Sequence, residues 1–240
     1  MMKTIGLIGG LSWLSSIEYY RMLNEMVNER LGGVHAGKII MYSVNFAEIK
    51  MLTEEGRWDE IAKMISDIAQ KIEQAGADCI LIGANTMHKI AGNIQRAINI
   101  PVIHIAEVTA SQIRKQQLKT VALLGTKYTM QLDFYKDKLA AQGIITIIPG
   151  EEDVEFINTA IYTEMGKGIF LPATKEKFLN IIKQLSKQGA EGIILGCTEI
   201  PLLIKQEDCF VPVFDTTKIH SAAAVEFALN ETSILAHNYI

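Results

Sequence analysis

The feature that most constrains this chain is that it carries the same pattern twice. Gly189-Ala190-Glu191-Gly192-Ile193-Ile194-Leu195-Gly196-Cys197-Thr198-Glu199 matches Gly76-Ala77-Asp78-Cys79-Ile80-Leu81-Ile82-Gly83-Ala84-Asn85-Thr86 in kind at nearly every position, at an offset of 197 − 84 = 113 residues. An uncharged apolar run that closes on a small residue and then on polar groups reads as a buried parallel strand ending at an active edge. Cys197 and Ala84 are counterparts. Two further pairs run in the same order. Thr4–Gly10 resembles Thr120–Thr126 and Ile100–His104 resembles Val211–Asp215, at offsets of 120 − 4 = 116 and 211 − 100 = 111. Three matched strands in one order imply two copies of an α/β unit. The expected fold is α/β, with two pseudo-symmetric domains built on parallel sheets. Residues 1–99 with 211–240 would form one and 100–210 the other, with an active site in the cleft between them. Ala84 and Cys197 would face each other across it.

With 240 residues, 49% of them hydrophobic, the chain can bury the core of two such units. A net charge of −4 without a block of Lys or Arg argues against nucleic-acid and membrane-surface partners, which need a basic footprint. Small molecules are the expected ligands. Three cysteines without a C-x-x-C pair, and five scattered histidines, describe neither a disulfide framework nor a metal site. The expectation is a cytoplasmic protein with no metal. Lys3 and the apolar run after it could pass for a signal peptide, but Gly9-Gly10 breaks the run and a polar amphipathic segment follows. No apolar run approaches the ~18 residues of a membrane span.

In chain order, Ile5–Ile8 is a strand that turns through Gly9-Gly10-Leu11-Ser12-Trp13 into a helix over about 15–30. The turn lacks G-x-G-x-x-G, which argues against a nucleotide cofactor. Ile39–Val44 is the second strand. Trp58, Ile61, Ile65, Ile68 and Ile72 recur at helical spacing. Cys79–Gly83 is the third strand, with a helix from about Met87. Pro101–Ile105 reads as a strand opening the second unit. After it come strands at Val121–Leu124, Ile144–Ile148 and Val211–Phe214, and helices over 128–141, 151–165 and from Asp215-Thr216 to about Leu229. Phe178, Ile181, Ile182 and Leu185 mark the helix before the Gly192–Gly196 strand.

Ligands of open parallel sheets bind where strands deliver their C-terminal ends. Ser12, Asn45, Ala84, Asn85, Thr86, Gly125, Thr126, Thr129, Cys197, Thr198 and Glu199 all fall on that edge. Their hydroxyls, amides and free backbone N–H groups suit a carboxylate. A thiol near the short helix signalled by Pro201 is expected to have a stabilised thiolate. The alternative for Cys197 is a buried structural cysteine, which is the better reading of Cys79 and Cys209. His88 and His104 read as hydrogen-bonded structural histidines. Lys167, between Gly166 and Gly168, is either a solvated lysine or a cation on a loop that closes on an anion.

Taken together, Ile5-Gly6-Leu7-Ile8-Gly9-Gly10, Ala84-Asn85-Thr86-Met87-His88 and Leu195-Gly196-Cys197-Thr198-Glu199-Ile200 resemble the aspartate/glutamate racemase superfamily, whose members racemise acidic amino acids without a cofactor. The resemblance covers essentially the whole chain. It implies two pseudo-symmetric α/β domains, and a reaction in which two cysteines serve opposite faces of the substrate, one removing the α-proton and the other returning one. By this resemblance Cys197 is one of the pair, Glu199 assists it, Asn85, Thr86, Thr126 and Thr198 hold the substrate, and the assembly is a homodimer. The chain departs from the family at Ala84, which stands where the motif has its first cysteine, and a methyl group carries no proton. The expected activity is therefore weak or lopsided racemisation of aspartate or glutamate, with Thr86 or a water left to serve the second face. The alternatives are a single-cysteine lyase or isomerase of a small dicarboxylic acid, and a carboxylate-binding protein without turnover.

Overall fold

The apolar runs become strands because each is too hydrophobic to lie against solvent on either face. Ile5–Gly9 (β1) and Cys79–Ile82 (β3) are buried along their whole length, and Ile39–Ser43 (β2) closes the edge as a partly exposed strand. A computed structural model describes residues 2–229 and pairs these strands in parallel in the order β2-β1-β3. Helices cover this sheet: Trp13–Leu31 (α1), Phe46–Glu54 (α2), Trp58–Gln74 (α3) and Ala91–Ala97 (α4). On α3, Ile61, Ile65, Ile68 and Ile72 are all buried, each contributing about 1.5–3 kcal/mol on leaving water. The unit also encloses a polar pair. His220 Nε2 donates to the Ile103 carbonyl at 2.6 Å, which leaves Nδ1 of the neutral ring to accept from the Tyr19 hydroxyl at 2.8 Å.

The second sheet has the order β5-β4-β6-β7, again all parallel, from Thr120–Gly125 (β4), Ile145–Ile147 (β5), Gly192–Gly196 (β6) and Val213–Asp215 (β7). Its helices are Ile105–Lys115 (α5), Lys127–Gln131 (α6), Asp133–Ala140 (α7), Glu151–Thr163 (α8), Pro172–Lys187 (α9), Ile200–Leu203 (α10) and the start of Thr216–Leu229 (α11). Side chains alternate across the strand, as a pleat requires. Ala122 and Leu124 pack with Ile157, Ile161, Phe178 and Ile182 on one face. Val121 and Leu123 pack with Ile105, Ile113, Tyr135 and Leu139 on the other.

The repeat holds residue by residue. Leu7 pairs with Leu81 as Leu123 pairs with Ile194, and Ile80 bridges Val102 as Ile193 pairs with Val213. Even the electrostatic fastening recurs. The Asp78 carboxylate accepts the backbone N–H of Thr4 at 2.6 Å, and its counterpart Glu191 accepts those of Lys119 and Thr120 at 2.6 and 2.9 Å.

The unit boundaries differ from the sequence expectation. One unit comprises Met1–Gly83, Ile90–His104 and His220–Ile240, the other Ala84–Lys89 and Ile105–Ile219; residues 1 and 230–240 lie outside the described residues. Hydrogen bonding decides this. Val213–Asp215 pairs with β6 and so belongs to the second sheet, whereas Val102 bridges Ile80 and stays with the first. The expected Pro101–Ile105 strand reduces to that one bridge, and Ile105 already opens α5. The helix expected from Met87 begins as a 3-10 turn over Thr86–Ile90 before α4. The expected 128–141 helix is cut at Leu132, whose extended backbone (ψ 152°) ends α6 and starts α7.

Among the described residues no helix is long and apolar enough to cross a membrane. No group of three or more His, Cys, Asp or Glu among them could hold a metal ion.

Candidate active site

The second unit gathers most of the expected site residues into two adjoining clusters at the C-terminal ends of β4 and β6. The first is made of hydroxyls. Thr126 ends β4 and caps α6, and its Oγ1 lies 2.9 Å from Thr86 Oγ1 and 3.1 Å from Thr129 Oγ1; Thr86 and Thr129 are 3.1 Å apart. Three hydroxyls at mutual hydrogen-bond distance can pass their protons around the ring or turn them outward onto an anion. Thr86 is partly exposed, and Thr126 and Thr129 are buried.

Two glycines make room for this ring. Gly125 and Gly196 are register partners. A Cβ on Gly125 would stand 2.8 Å from the Gly196 carbonyl oxygen and 3.1 Å from Thr129 Cγ2. On Gly196 it would meet the Leu124 carbonyl oxygen at 2.9 Å and Thr129 Cγ2 at 3.3 Å. Thr129 thus lies over both strand ends, next to the residue that precedes Cys197.

The second cluster is Cys197-Thr198-Glu199. The Cys197 thiol donates to Glu199 Oε2 at 2.9 Å, and the Thr198 hydroxyl donates to the same oxygen at 2.7 Å. Thr198 and Glu199 are buried, whereas Cys197 is partly exposed. Burial pushes the Cys197 thiol well above its ordinary range, and the adjacent Glu199 charge and hydrogen bond push the same way. This corrects the expected stabilised thiolate. The helix that was to provide it, α10, is four residues long, too short to outweigh desolvation and a neighbouring carboxylate. At rest Cys197 is an acid with a proton acceptor already in place.

The other cysteines differ in setting. Cys79 is fully buried inside β3 and pushed up to about 12 by desolvation. Cys209 is partly buried after a 3-10 turn and is also raised by burial. Neither has a carboxylate accepting its proton.

Ala84 is partly exposed at the start of the site loop, and His88 Nδ1 donates to its carbonyl at 2.9 Å. His88 therefore pins the loop, the structural role expected of it. Asn85 is buried and donates through Nδ2 to Thr216 Oγ1 at 3.1 Å. Thr216 in turn donates to the Leu195 carbonyl at 2.9 Å. Sequence reasoning missed Thr216 as a site residue. Its signal was its place directly after a strand end, beside Asp215.

Besides the Ala84-Asn85 loop and these clusters, three expected site residues stand elsewhere in their units. Ser12 caps α1 and accepts from Ser15 N at 3.5 Å. Asn45 caps α2, accepting from Ala47 N and donating to Glu48, and it lines a groove of about 530 Å³ with Tyr42, Ser43, Lys63 and Lys71. Both belong to the first unit. Lys167 ends a 3-10 turn after α8, followed by Gly168 at φ 74°; among the described residues its side chain makes no hydrogen bond or ion pair.

A buried strand end with a thiol–carboxylate pair and a hydroxyl ring suits proton transfer beside an anion. The family model for Asp/Glu/Hydantoin racemase matches residues 8–224. The chain belongs to that family. Amino-acid racemase is the enzyme class this membership supports. Among relatives, a broad specificity amino-acid racemase of Bacillus subtilis (strain 168) is 29% identical over 159 residues, 66% of this chain and 68% of that protein. A glutamate racemase of Staphylococcus epidermidis is 25% identical over 230 residues, 88% of this chain and 80% of that protein. Among solved structures, a candidate Asp/Glu racemase from Yersinia pestis is 47% identical with a TM-score of 0.90, covering 95% of this chain and 100% of that one. An aspartate racemase homologue from Pyrococcus horikoshii OT3 follows at 37% and 0.85, with the same coverage.

Proposed function

We propose that this racemase acts on an acidic amino acid, aspartate or glutamate, moving the α-proton without a cofactor, and that the two enantiomers exchange that proton with solvent at unequal rates. The observation carrying this reading is the Cys197–Glu199 hydrogen bond of 2.9 Å. Glu199 takes the thiol proton, the resulting thiolate removes the α-proton of the substrate, and the electron pair is left on the α-carbon. Reprotonation then comes from the re-formed Cys197 thiol on the same face, or from another donor on the opposite face. The hydroxyl ring of Thr86, Thr126 and Thr129 offers its protons to a substrate carboxylate, with Thr198 and the backbone of Gly125 beside it. Lys167, whose cation is uncommitted, meets the side-chain carboxylate.

Ala84 supplies the asymmetry. It occupies the position that the repeat matches to Cys197, and its methyl group can neither give nor take a proton. One face of the substrate has a thiol, and the other is left to Thr86 or water, which hold their protons too tightly to be good bases near neutral pH.

The test is incubation with each enantiomer of aspartate and glutamate in deuterated water. Deuterium should enter the α-carbon of one enantiomer faster than the other, inversion should lag behind exchange, and Cys197→Ala should abolish both while Cys79→Ala and Cys209→Ala leave them. Exchange at the original rate in Cys197→Ala would remove the thiol from the mechanism. Ligand bound but never exchanged would mark a carboxylate-binding protein. Lys167→Met should weaken a dicarboxylic amino acid more than a neutral one of similar size.

A further inference from the structure

The strand β2 has a neighbour on one side only. Val44 N–H bonds the Gly9 carbonyl and the Lys38 carbonyl accepts from Ile5 N–H, so the alternation of a parallel ladder turns Ile40 and Tyr42 towards β1 as well. The N–H and C=O groups of Ile39, Met41 and Ser43 therefore face outwards, and among the described residues no strand pairs with them. Folds protect such an edge with a charge, a proline, a bulge or a very short strand. The five residues Ile39-Ile40-Met41-Tyr42-Ser43 have none of these, whereas the edge strands β5 and β7 are three residues long and Val102 bridges the far side of β3.

The helix layers on both faces of the sheet extend this open surface. On one face Met41, 46% exposed, and Ser16 of α1 both stand over Gly9. Asn24 holds the same flank of α1 to the entry of β2 by accepting from Gly37 N–H at 3.0 Å. Along that flank Trp13, Ile17 and Tyr20 repeat at helical spacing, and each is at least half exposed. On the other face Tyr42 opens a groove whose α3 wall carries Glu60, Lys63, Asp67 and Lys71. These charges run minus, plus, minus, plus. A two-fold axis reverses the order, so that Glu60 meets the partner's Lys71 and Lys63 meets the partner's Asp67, every acid opposite a base. Both pairs are centred next to Ile65.

We propose that β2 is the interface with a second copy of this chain, the two strand edges pairing antiparallel about a two-fold axis, with the α1 stripes meeting on one face of the sheet and the α3 charges on the other. A different partner would have to bring a free edge, an apolar stripe and the reversed charge order together, and this chain already carries all three. The apolar side chains supply affinity and the charges supply register. The inference is independent of the substrate proposed above.

Analytical ultracentrifugation of the full chain should show a dimer at about 100 μM, above the micromolar limit of standard-size interfaces. Hydrogen exchange of the 39–43 segment should slow as protein concentration rises. Glu60→Lys sets like charges against the partner's Lys71 twice per dimer and should raise the Kd roughly tenfold, and adding Lys71→Glu should restore it to within about threefold. A merely structural loss would not be rescued in this way. Met41→Lys, at a half-exposed side chain, should also dissociate the dimer, and it serves alone should Glu60→Lys not fold. A monomer at that concentration overturns the inference. So does a dimer whose 39–43 segment exchanges as freely as in the monomer, one unmoved by Met41→Lys, or a Glu60→Lys loss that Lys71→Glu deepens or leaves unchanged.

Discussion

Replacing Glu199 by Gln separates two effects that most mutations at such a site would confound. The carboxyl oxygen lies 2.9 Å from the Cys197 sulfur. Two unit charges at that distance repel by about 1.4 kcal/mol even in full water screening, and by about four times as much at an effective dielectric near 20. Glu199→Gln removes that repulsion and leaves only burial opposing the thiolate. The thiolate fraction at a fixed neutral pH should rise by at least about tenfold. Iodoacetamide alkylation of Cys197, followed by peptide mass spectrometry, reads this directly, with Cys79 as an internal standard that burial keeps unreactive. Proton exchange should go the other way. If Glu199 is what accepts the thiol proton, its loss should slow α-deuterium incorporation by roughly 10²-fold, the usual contribution of a positioned acid or base. A more reactive thiol in a slower enzyme is the expected signature. Unchanged or slower alkylation would mean that Glu199 does not hold the proton on Cys197. Unchanged exchange would mean that it is not the acceptor.

Ala84→Cys should place a second thiol where the repeat calls for one and raise inversion by ~10²-fold or more, followed by circular dichroism from either enantiomer; rates unaltered by the added cysteine would show that position 84 is not the missing base. Gly196→Ala puts a Cβ 2.9 Å from the Leu124 carbonyl oxygen and should cost about 1–3 kcal/mol, a fall of roughly 2–4 °C in Tm per kcal/mol at this chain length, with loss of exchange as Thr129 is displaced. Asp215 is raised above its ordinary carboxylate range by burial, despite accepting from the backbone N–H groups of Thr217 and Lys218 at 3.0 Å. Its contribution to stability is present at acid pH and lost as pH rises through its folded value. Asp215→Asn keeps the cap, so relative to wild type it should gain stability at pH 7 and lose that gain at pH 4, as paired thermal melts would show.

The parts of the fold legible in the sequence were those fixed by hydrophobic pattern. The Ile61–Ile72 face, the Phe178–Leu185 face and the uncharged runs Ile5–Ile8 and Gly192–Gly196 are signals that tertiary context could only reinforce. The repeat also carried the doubling of the fold, because three matched strands in one order imply two copies of a unit. Short elements were harder to read. Asn45, read as a ligand residue, is also the N-cap of α2, and Asn suits both tasks. Pro101–His104 resembles a strand in composition, yet only Val102 bridges a neighbour. Placement at strand ends brought out Thr126, Thr129 and Cys197 but not Thr216, which a hydrogen bond ties to a residue 131 positions away. The state of the thiol was illegible for a different reason. A helix N-terminus can be guessed from Pro201, whereas the distance from sulfur to a carboxylate two residues on cannot.

The two halves of the chain share one backbone solution and differ in chemistry, which limits what Ala84 can mean. Gly83 and Gly196 are hemmed in alike: a Cβ on either would meet a strand carbonyl, of Ile8 or of Leu124, at 2.9 Å. Positions 84 and 197 thus each follow a glycine held close against a neighbouring strand, and one carries a methyl group where the other carries a thiol. In the proposed mechanism a methyl group there bears on proton transfer alone. In that mechanism Cys197 removes an α-proton and puts it back on the same face, which exchanges hydrogen without changing configuration. Inversion needs a proton from the far side, and a hydroxyl or water there can donate to a carbanion far more readily than it can take a proton from carbon. The enantiomer whose α-hydrogen points at Cys197 should therefore exchange that hydrogen faster than its mirror image does, while inversion, whose equilibrium constant is one, should be equally slow from either side at limiting substrate.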